Sequence, residues 1–307
     1  MLASATTVSA VDLRGVRKQF GDFVAVDTLS FSIRRGVIFG LLGPNGAGKT
    51  STIRMMIGIT MPDAGVVRLF GEPFTRKHLQ RVGYLPEERG LYKKMRVLEH
   101  LVLLGRLHGL SAAEAARRAR HWCERLEIAE KLQKKVEELS KGMQQKIQFI
   151  AALMHDPDFI IMDEPFSGLD PVNTVLLKNV LLEMKHAGKT ILFSTHQMEQ
   201  VERLCDSITL IDGGKAVLQG DLRQIKSSYG RNNVQIEYEG NGDFLQYSAL
   251  VQSYNNFGNY VEVRLAPGAD AQELLRSVAA HSRVSKFELV EPSLEEIFID
   301  VVGKNHA

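Results

Sequence analysis

The stretch Gly43-Pro44-Asn45-Gly46-Ala47-Gly48-Lys49-Thr50 constrains this chain more than any other. It fits the spacing GxxxxGK[ST], which ordinary glycine usage produces by chance in roughly one per cent of chains this long. The flanks fit as well. Val37-Ile38-Phe39-Gly40-Leu41-Leu42 reads as a buried strand feeding a loop, and Ser51-Thr52-Ile53-Arg54-Met55-Met56 reads as a helix. Glycines let backbone N–H groups turn inward and approach phosphate oxygens closely. The helix N-terminus beyond the loop adds a favourable dipole. In such a loop Lys49 neutralises the β and γ phosphates and the Thr50 hydroxyl ligates Mg2+.

A second apolar run, Phe159-Ile160-Ile161-Met162, ends in Asp163-Glu164. Acids at the C-terminal end of a buried strand lie where ligands sit in open α/β sheets. Asp163 suits a Mg2+ shell, and Glu164 suits a general base for water attacking the γ phosphate. Two merely solvated acids are the plain alternative, and the phosphate loop upstream argues against it. Thr190-Ile191-Leu192-Phe193 is a third run of the same kind. Such strands, separated by helices, predict a parallel α/β sheet.

Residues 90–155 have helical spacing, with Leu98, Leu101, Val102 and Gly105 on one face. Ser111-Ala112-Ala113-Glu114 predicts a capping box. Ile208–Ile211, Asp212-Gly213-Gly214 and Lys215–Leu218 predict a β-hairpin. A boundary lies near Asp221. Beyond it, Val234/Ile236/Tyr238 and Val261/Val263/Leu265 alternate as half-buried strands. Ala271–Ala280 predicts a helix, and Ser293-Leu294-Glu295-Glu296 a capping box opening a last one. The expected organisation is therefore an α/β domain over 1–220, with a helical subdomain over about 88–158, and a small α+β domain over 221–307.

The 307 residues carry a net charge of +2, which conceals a split. Residues 1–220 hold 30 basic and 24 acidic groups, residues 221–307 hold 8 and 12. A mildly basic front part suits a phosphate-bearing ligand and is too weakly basic to argue for nucleic acid. Cys123 and Cys205 form no metal-spaced pair and read as free thiols. No run of about 18 uncharged apolar residues predicts a membrane span, and the first residues predict no secretory signal.

With those residues placed, the chain resembles the ATP-binding cassette (ABC) ATPases over residues 8–220, a P-loop NTPase core with a helical insertion. Five further elements stand in the family's order. Phe20-Gly21 falls where the family stacks an aromatic on adenine, although Phe20 also reads as a core aromatic. Gly83-Tyr84-Leu85-Pro86-Glu87 stands at the Q-loop, with Glu87 in place of Gln and still able to ligate the metal. Leu139-Ser140-Lys141-Gly142-Met143-Gln144-Gln145 resembles the LSGGQ signature, with Lys141 and Met143 replacing Gly and Gln. Pro165-Phe166-Ser167-Gly168-Leu169-Asp170 matches the D-loop, and Ser194-Thr195-His196 the switch histidine.

The resemblance implies that the signature Ser140, Lys141, Gly142 and Met143 faces a second subunit, where the Ser140 hydroxyl and the helix N-terminus contact the γ phosphate it holds; Lys141 reads equally as assisting a phosphate or as merely solvated. Ser140 also reads as a helix N-cap, and the two readings are compatible. It implies that His196 hydrogen-bonds the γ phosphate and the attacking water, and that Asp170 positions the facing site. The absence of an N/T-K-x-D tetrapeptide favours ATP over GTP. Tyr84–Tyr92 and Glu291–Phe298 resemble the single-cassette subunits of ABC-2-type exporters of the sodium-efflux and drug-resistance kind. The resemblance thus implies an ATPase using ATP and Mg2+, peripheral on the cytoplasmic face of the membrane. Its partners would be a separate transmembrane permease and a second ABC subunit, identical or paralogous, with no nucleic acid. Two other readings are a soluble ABC ATPase acting on ribosomes or nucleic acid, and a nucleotide-gated regulatory binder. Two cassettes in one chain, or a long coiled coil, would mark the former; Glu87 and Met143 are the only support for the latter.

Overall fold

The computed structural model describes residues 9–88, 90–229, 233–239, 245–246, 248–258 and 260–306. The chain divides into two units, Met1–Asp221 and Leu222–Ala307. The first opens with β1 (Val11–Phe20) and β2 (Phe23–Ile33), paired antiparallel across a tight turn at Gly21 and Asp22. Next come β3 (Ile38–Leu42), the phosphate-loop segment and α1 (Lys49–Met56). β4 (Ala64–Leu69) and β5 (Glu72–Pro73) complete an outer antiparallel sheet of order β2-β1-β4-β5. That sheet is not anticipated by the alternation of strands and helices read from the sequence. Its signal is broken because β1 shifts register against β2 at three places, so no strict period of two survives.

β6 (Val82–Leu85) leads into three helices, α2 (Val97–Leu107), α3 (Ala112–Arg125) and α4 (Lys141–Leu153). β7 (Phe159–Asp163), α5 (Pro171–His186), β8 (Thr190–Thr195), α6 (Met198–Leu204), β9 (Ser207–Asp212) and β10 (Lys215–Asp221) complete the unit. The six-stranded sheet has order β10-β9-β3-β8-β7-β6, parallel except for the β9–β10 hairpin. Every residue of β3, β7 and β8 is buried. This is why those segments read as unbroken apolar runs: helices and the outer sheet cover both faces. Phe159 and Phe193 are fully enclosed, and burying each contributes about 1.5–3 kcal/mol.

Because β3, β8 and β7 are neighbours and parallel, their C-terminal ends form one rim. Residues far apart in sequence meet there, at the crevice open α/β sheets offer to ligands. The predicted box at Ser111 is half realised. Ser111 Oγ accepts from the Glu114 N–H, but the Glu114 carboxylate is held by Arg117 and Arg118 instead of reaching back. That pair of guanidinium groups holds the Glu114 carboxyl at about 2. The box at Ser293 is complete: Glu296 accepts from the Ser293 N–H and Ser293 Oγ accepts from the Glu296 N–H.

The second unit contains α7 (Leu222–Ser228), β11 (Asn233–Glu239), β12 (Val251–Asn256), β13 (Val261–Leu265), α8 (Ala271–His281), β14 (Arg283–Val290) and α9 (Leu294–His306). Its four strands form an antiparallel sheet of order β12-β13-β11-β14. Val234, Ile236, Val261 and Val263 of the sheet pack with Leu274 and Val278 of α8. The alternation legible at these strands is that of a sheet with one covered face.

Two buried histidines of the first unit make stability depend on pH. His100 on α2 is fully buried with neither ring nitrogen hydrogen-bonded, and His155 stacks on His108 at 3.8 Å between ring centroids. Burial pushes both His100 and His155 down to about 4. The fold therefore holds the rings neutral where an unfolded chain protonates them, near 6.5. Their contribution is complete above pH 6.5 and is lost as pH falls through about 4. Urea midpoints should fall between pH 6.5 and 5, above the range of ordinary carboxylates. His100→Leu, which removes an unsatisfied polar ring, should melt higher and flatten that fall; an unchanged slope would contradict the assignment.

Candidate functional site

The phosphate-loop segment is built so that only glycine fits at two of its positions. Gly43 has φ +149°, and a Cβ there would lie 2.2 Å from the Ile211 carbonyl oxygen. Gly48 has φ +103°, and its Cβ would lie 2.3 Å from the Ala25 carbonyl oxygen. Both neighbours are backbone atoms and cannot rotate away. The loop is thus pressed between β2 on one side and β9 on the other. α1 starts at Lys49, two residues earlier than the sequence predicts, so the loop ends directly in a helix N-terminus.

Lys49 is buried and its Nζ donates to the carbonyl oxygens of Gly43 and Pro44, at 2.8 and 3.0 Å. Burial lowers its pKa, and the nearby carboxylates of Glu164, Asp163 and Glu87 oppose that shift. The ammonium braces its own loop and is surrounded by three acids. Thr50 Oγ1 donates to Asp163 Oδ2 at 2.9 Å, which fastens the loop to the end of β7. Asp163 also accepts from the Ser194 hydroxyl of β8, so its carboxylate is fixed from both sides.

Glu164 comes next, with φ +48°, a left-handed conformation uncommon for a residue with a side chain. Its N–H donates to the Ser194 carbonyl at 3.0 Å, which holds the turn. Its carboxylate accepts from Thr195 Oγ1 at 2.9 Å, from the His196 N–H at 3.1 Å and from the His196 ring at 2.7 Å. A carboxylate only accepts, so His196 Nδ1 carries the proton in this contact. In the neutral ring Nε2 is then an acceptor, and only an imidazolium can donate from both nitrogens.

These groups face one cavity of about 460 Å3. Its lining includes Asn45, Gly46, Gly48, Lys49, Thr50 and Ser51 from the loop, with Glu87, Asp163, Glu164 and His196. Gly43, Pro44 and Ala47 of the loop do not line it. Phe20 is half exposed and does not line the cavity; Phe23, its partner across the β1–β2 turn, does, beside Ala25. Ser140, Lys141, Gly142, Met143 and Asp170 do not line it either. Ser140 caps α4, accepting from the Met143 N–H at 3.3 Å, and Lys141 and Gly142 form the first turn. Asp170 caps α5, accepting from the Asn173 N–H at 2.8 Å, which with the Asn173 side chain lowers its pKa. α4 is tied to the acidic turn by Gln145 Nε2, which donates to the Pro165 carbonyl at 3.0 Å.

Sequence reasoning assigns no contact to Phe23, Ala25 or Gln197, which line the cavity, nor to the hydroxyls of Ser194 and Thr195. Polar residues ending an otherwise apolar strand are the one signal that marks the last two. Thr50, Asp163 and Glu87 offer hard oxygen donors on one cavity, which fits Mg2+.

Comparison with known proteins agrees with this architecture. The family profile for the ABC transporter matches residues 26–167, and that for the C-terminal domain of DrrA1-3-like ATP-binding proteins matches residues 220–302. The ABC transporter ATP-binding protein YhaQ of Bacillus subtilis (strain 168) is 46% identical over 94% of this chain and 97% of its own. The Nod factor export ATP-binding protein I of Ralstonia nicotianae is 44% identical over 70% of this chain and 68% of its own. A solved ATP-binding subunit of an ABC transporter superposes with a TM-score of 0.67 at 31% identity, covering 72% of this chain and 94% of that one. The chain belongs to the ABC transporter ATP-binding proteins: it is an ATP-binding subunit with ATPase activity. Among the described residues, no helix is long and apolar enough to cross a membrane.

Gly48→Ala forces a Cβ against the Ala25 carbonyl and should open the loop. ATP should then raise the melting temperature of the wild type but leave that of the variant unchanged. An equal ATP-induced shift in both proteins would contradict the packing described.

Proposed function

We propose that this chain is the ATP-hydrolysing subunit of an exporter, and that it drives a separate membrane permease from the cytoplasmic face. The observation that carries this reading is the rim where Lys49, Thr50, Asp163, Glu164 and His196 share one cavity. Phosphate oxygens replace the Gly43 and Pro44 carbonyls as acceptors for Lys49. Thr50 and Asp163 would hold Mg2+, with Glu87 as a further oxygen donor. When bound, that ion neutralises phosphate charge. Glu164 takes the proton of the attacking water through the oxygen that His196 now occupies. His196, released from that oxygen, donates to the γ phosphate. Phe20 and Phe23 at the β1–β2 turn offer π faces for the adenine.

Ser140, Lys141, Gly142 and Met143 stand at the N-terminus of α4, away from the cavity. That placement suits a role across an interface: two cassettes close so that each α4 N-terminus meets the γ phosphate held by the other. Asp170, capping α5, sets the segment between the two sites. The second cassette is another copy or a paralogue. The export direction is supported by likeness to the Nod factor export protein and to the DrrA1-3-like C-terminal domain.

Glu164→Gln keeps the shape of the side chain and removes the base. ATP turnover should fall by about 10²–10⁴-fold, while ATP binding persists. Lys49→Ala should instead lose binding and turnover together. Wild-type turnover in both variants would overturn the catalytic assignment.

A further inference from the structure

β14 is the last strand of the C-terminal sheet, and among the described residues no strand pairs with its outer edge. It is eight residues long and none of its residues is buried. An edge of this length presents a row of backbone donors and acceptors to another chain. Its side chains select what that chain can be.

Phe287 and Leu289 stand opposite Ile236 and Val234 of β11, on the face that carries the core. The core does not cover them fully: Leu289 is 47% exposed, and Phe287 is only partly buried. Lys286 and Glu288 flank Phe287 on the other face, joined by an ion pair of 2.8 Å. Going along the strand, the order is a positive residue, an aromatic and a negative residue.

That order is self-complementary for antiparallel pairing. A two-fold axis perpendicular to the sheet keeps each side chain on its own face, so the axis passes through a residue and not between two. With the axis at Phe287, Lys286 of each copy faces Glu288 of the other, and the two Phe287 rings meet on the core side. Moving the axis by one residue sets Lys286 against Lys286 or Glu288 against Glu288. Like charges directly opposite are destabilising, so the charges choose the register. The register shift against β11 falls at Ser285, which leaves Lys286–Val290 regular. The opposite edge, β12, has the sequence VQSYNN and no charge to fix a register.

We propose that β14 pairs antiparallel with β14 of a second copy of this chain about Phe287. The two C-terminal sheets then join into one sheet of eight strands. The contact needs no nucleotide, so it is separate from ATP-driven closure of the cassettes and would keep two subunits together while their ATP sites are open.

The test is light scattering of the full chain at micromolar concentration without nucleotide. The wild type should have about twice the monomer mass of 34.3 kDa. Glu288→Lys sets Lys against Lys, and Lys286→Glu sets Glu against Glu, so each variant alone should be monomeric. An equimolar mixture of the two should recover the doubled mass, because every position then faces its opposite charge. The double reversal Lys286→Glu/Glu288→Lys should recover it alone. A wild type at the monomer mass, single variants that stay dimeric, or a mixture that stays monomeric would each overturn the proposal. The nucleotide reading is untouched by any of these outcomes, because ATP turnover of the same proteins is measured separately.

Discussion

The hydrogen bond from Thr50 to Asp163 joins residues 113 positions apart and fixes the geometry of the whole site. It exists because β3 and β7 lie on either side of β8 in one parallel sheet, so that a loop leaving one strand meets an acid ending the other. The Ser194 hydroxyl, from the strand between them, holds the same carboxylate. Everything else at the rim is placed relative to this bond. Lys49 precedes Thr50 by one residue and Glu164 comes one after Asp163. His196 reaches Glu164 because β8 ends beside β7.

The site at rest is closed on itself. Lys49 is satisfied by its own loop, and Glu164 by three donors from Thr195 and His196. Buried polar groups cost free energy when unpaired, so this internal pairing is what lets a cation and several acids share a partly enclosed cavity. In the mechanism we propose, these partners are exchanged, with phosphate taking Lys49 and water taking the Glu164 oxygen. The left-handed turn at Glu164 is held by the bond to the Ser194 carbonyl, which positions the carboxylate before any ligand arrives.

Much of this is legible in the sequence, for specific reasons. Strands buried on both faces are unbroken apolar runs, so β3, β7 and β8 are clear. The phosphate loop and Asp163-Glu164 are clear because their chemistry is local. The outer antiparallel sheet is not, since bulges break the period of β1. Phe23 escapes notice because a three-residue offset along a hairpin decides which ring faces the cavity, and that depends on twist. The contacts of Ser194 and Thr195 depend on strand order, which no local pattern records. Ser140 and Asp170 both cap helices, and the structure holds them outside the cavity in that role. The carboxylate of Glu114 departs from its expected place because two arginines one turn on compete for it more strongly than a backbone N–H.

In the mechanism we propose, Thr50 and Asp163 act as one unit in binding Mg2+ and ATP. A double-mutant cycle measures this, using ATP affinity in the presence and absence of Mg2+ for the wild type, Thr50→Val, Asp163→Asn and the double variant. Coupling of about 0.5–3 kcal/mol that persists without Mg2+ and grows when Mg2+ is present is the predicted result. Strictly additive losses, or coupling indifferent to Mg2+, would contradict it.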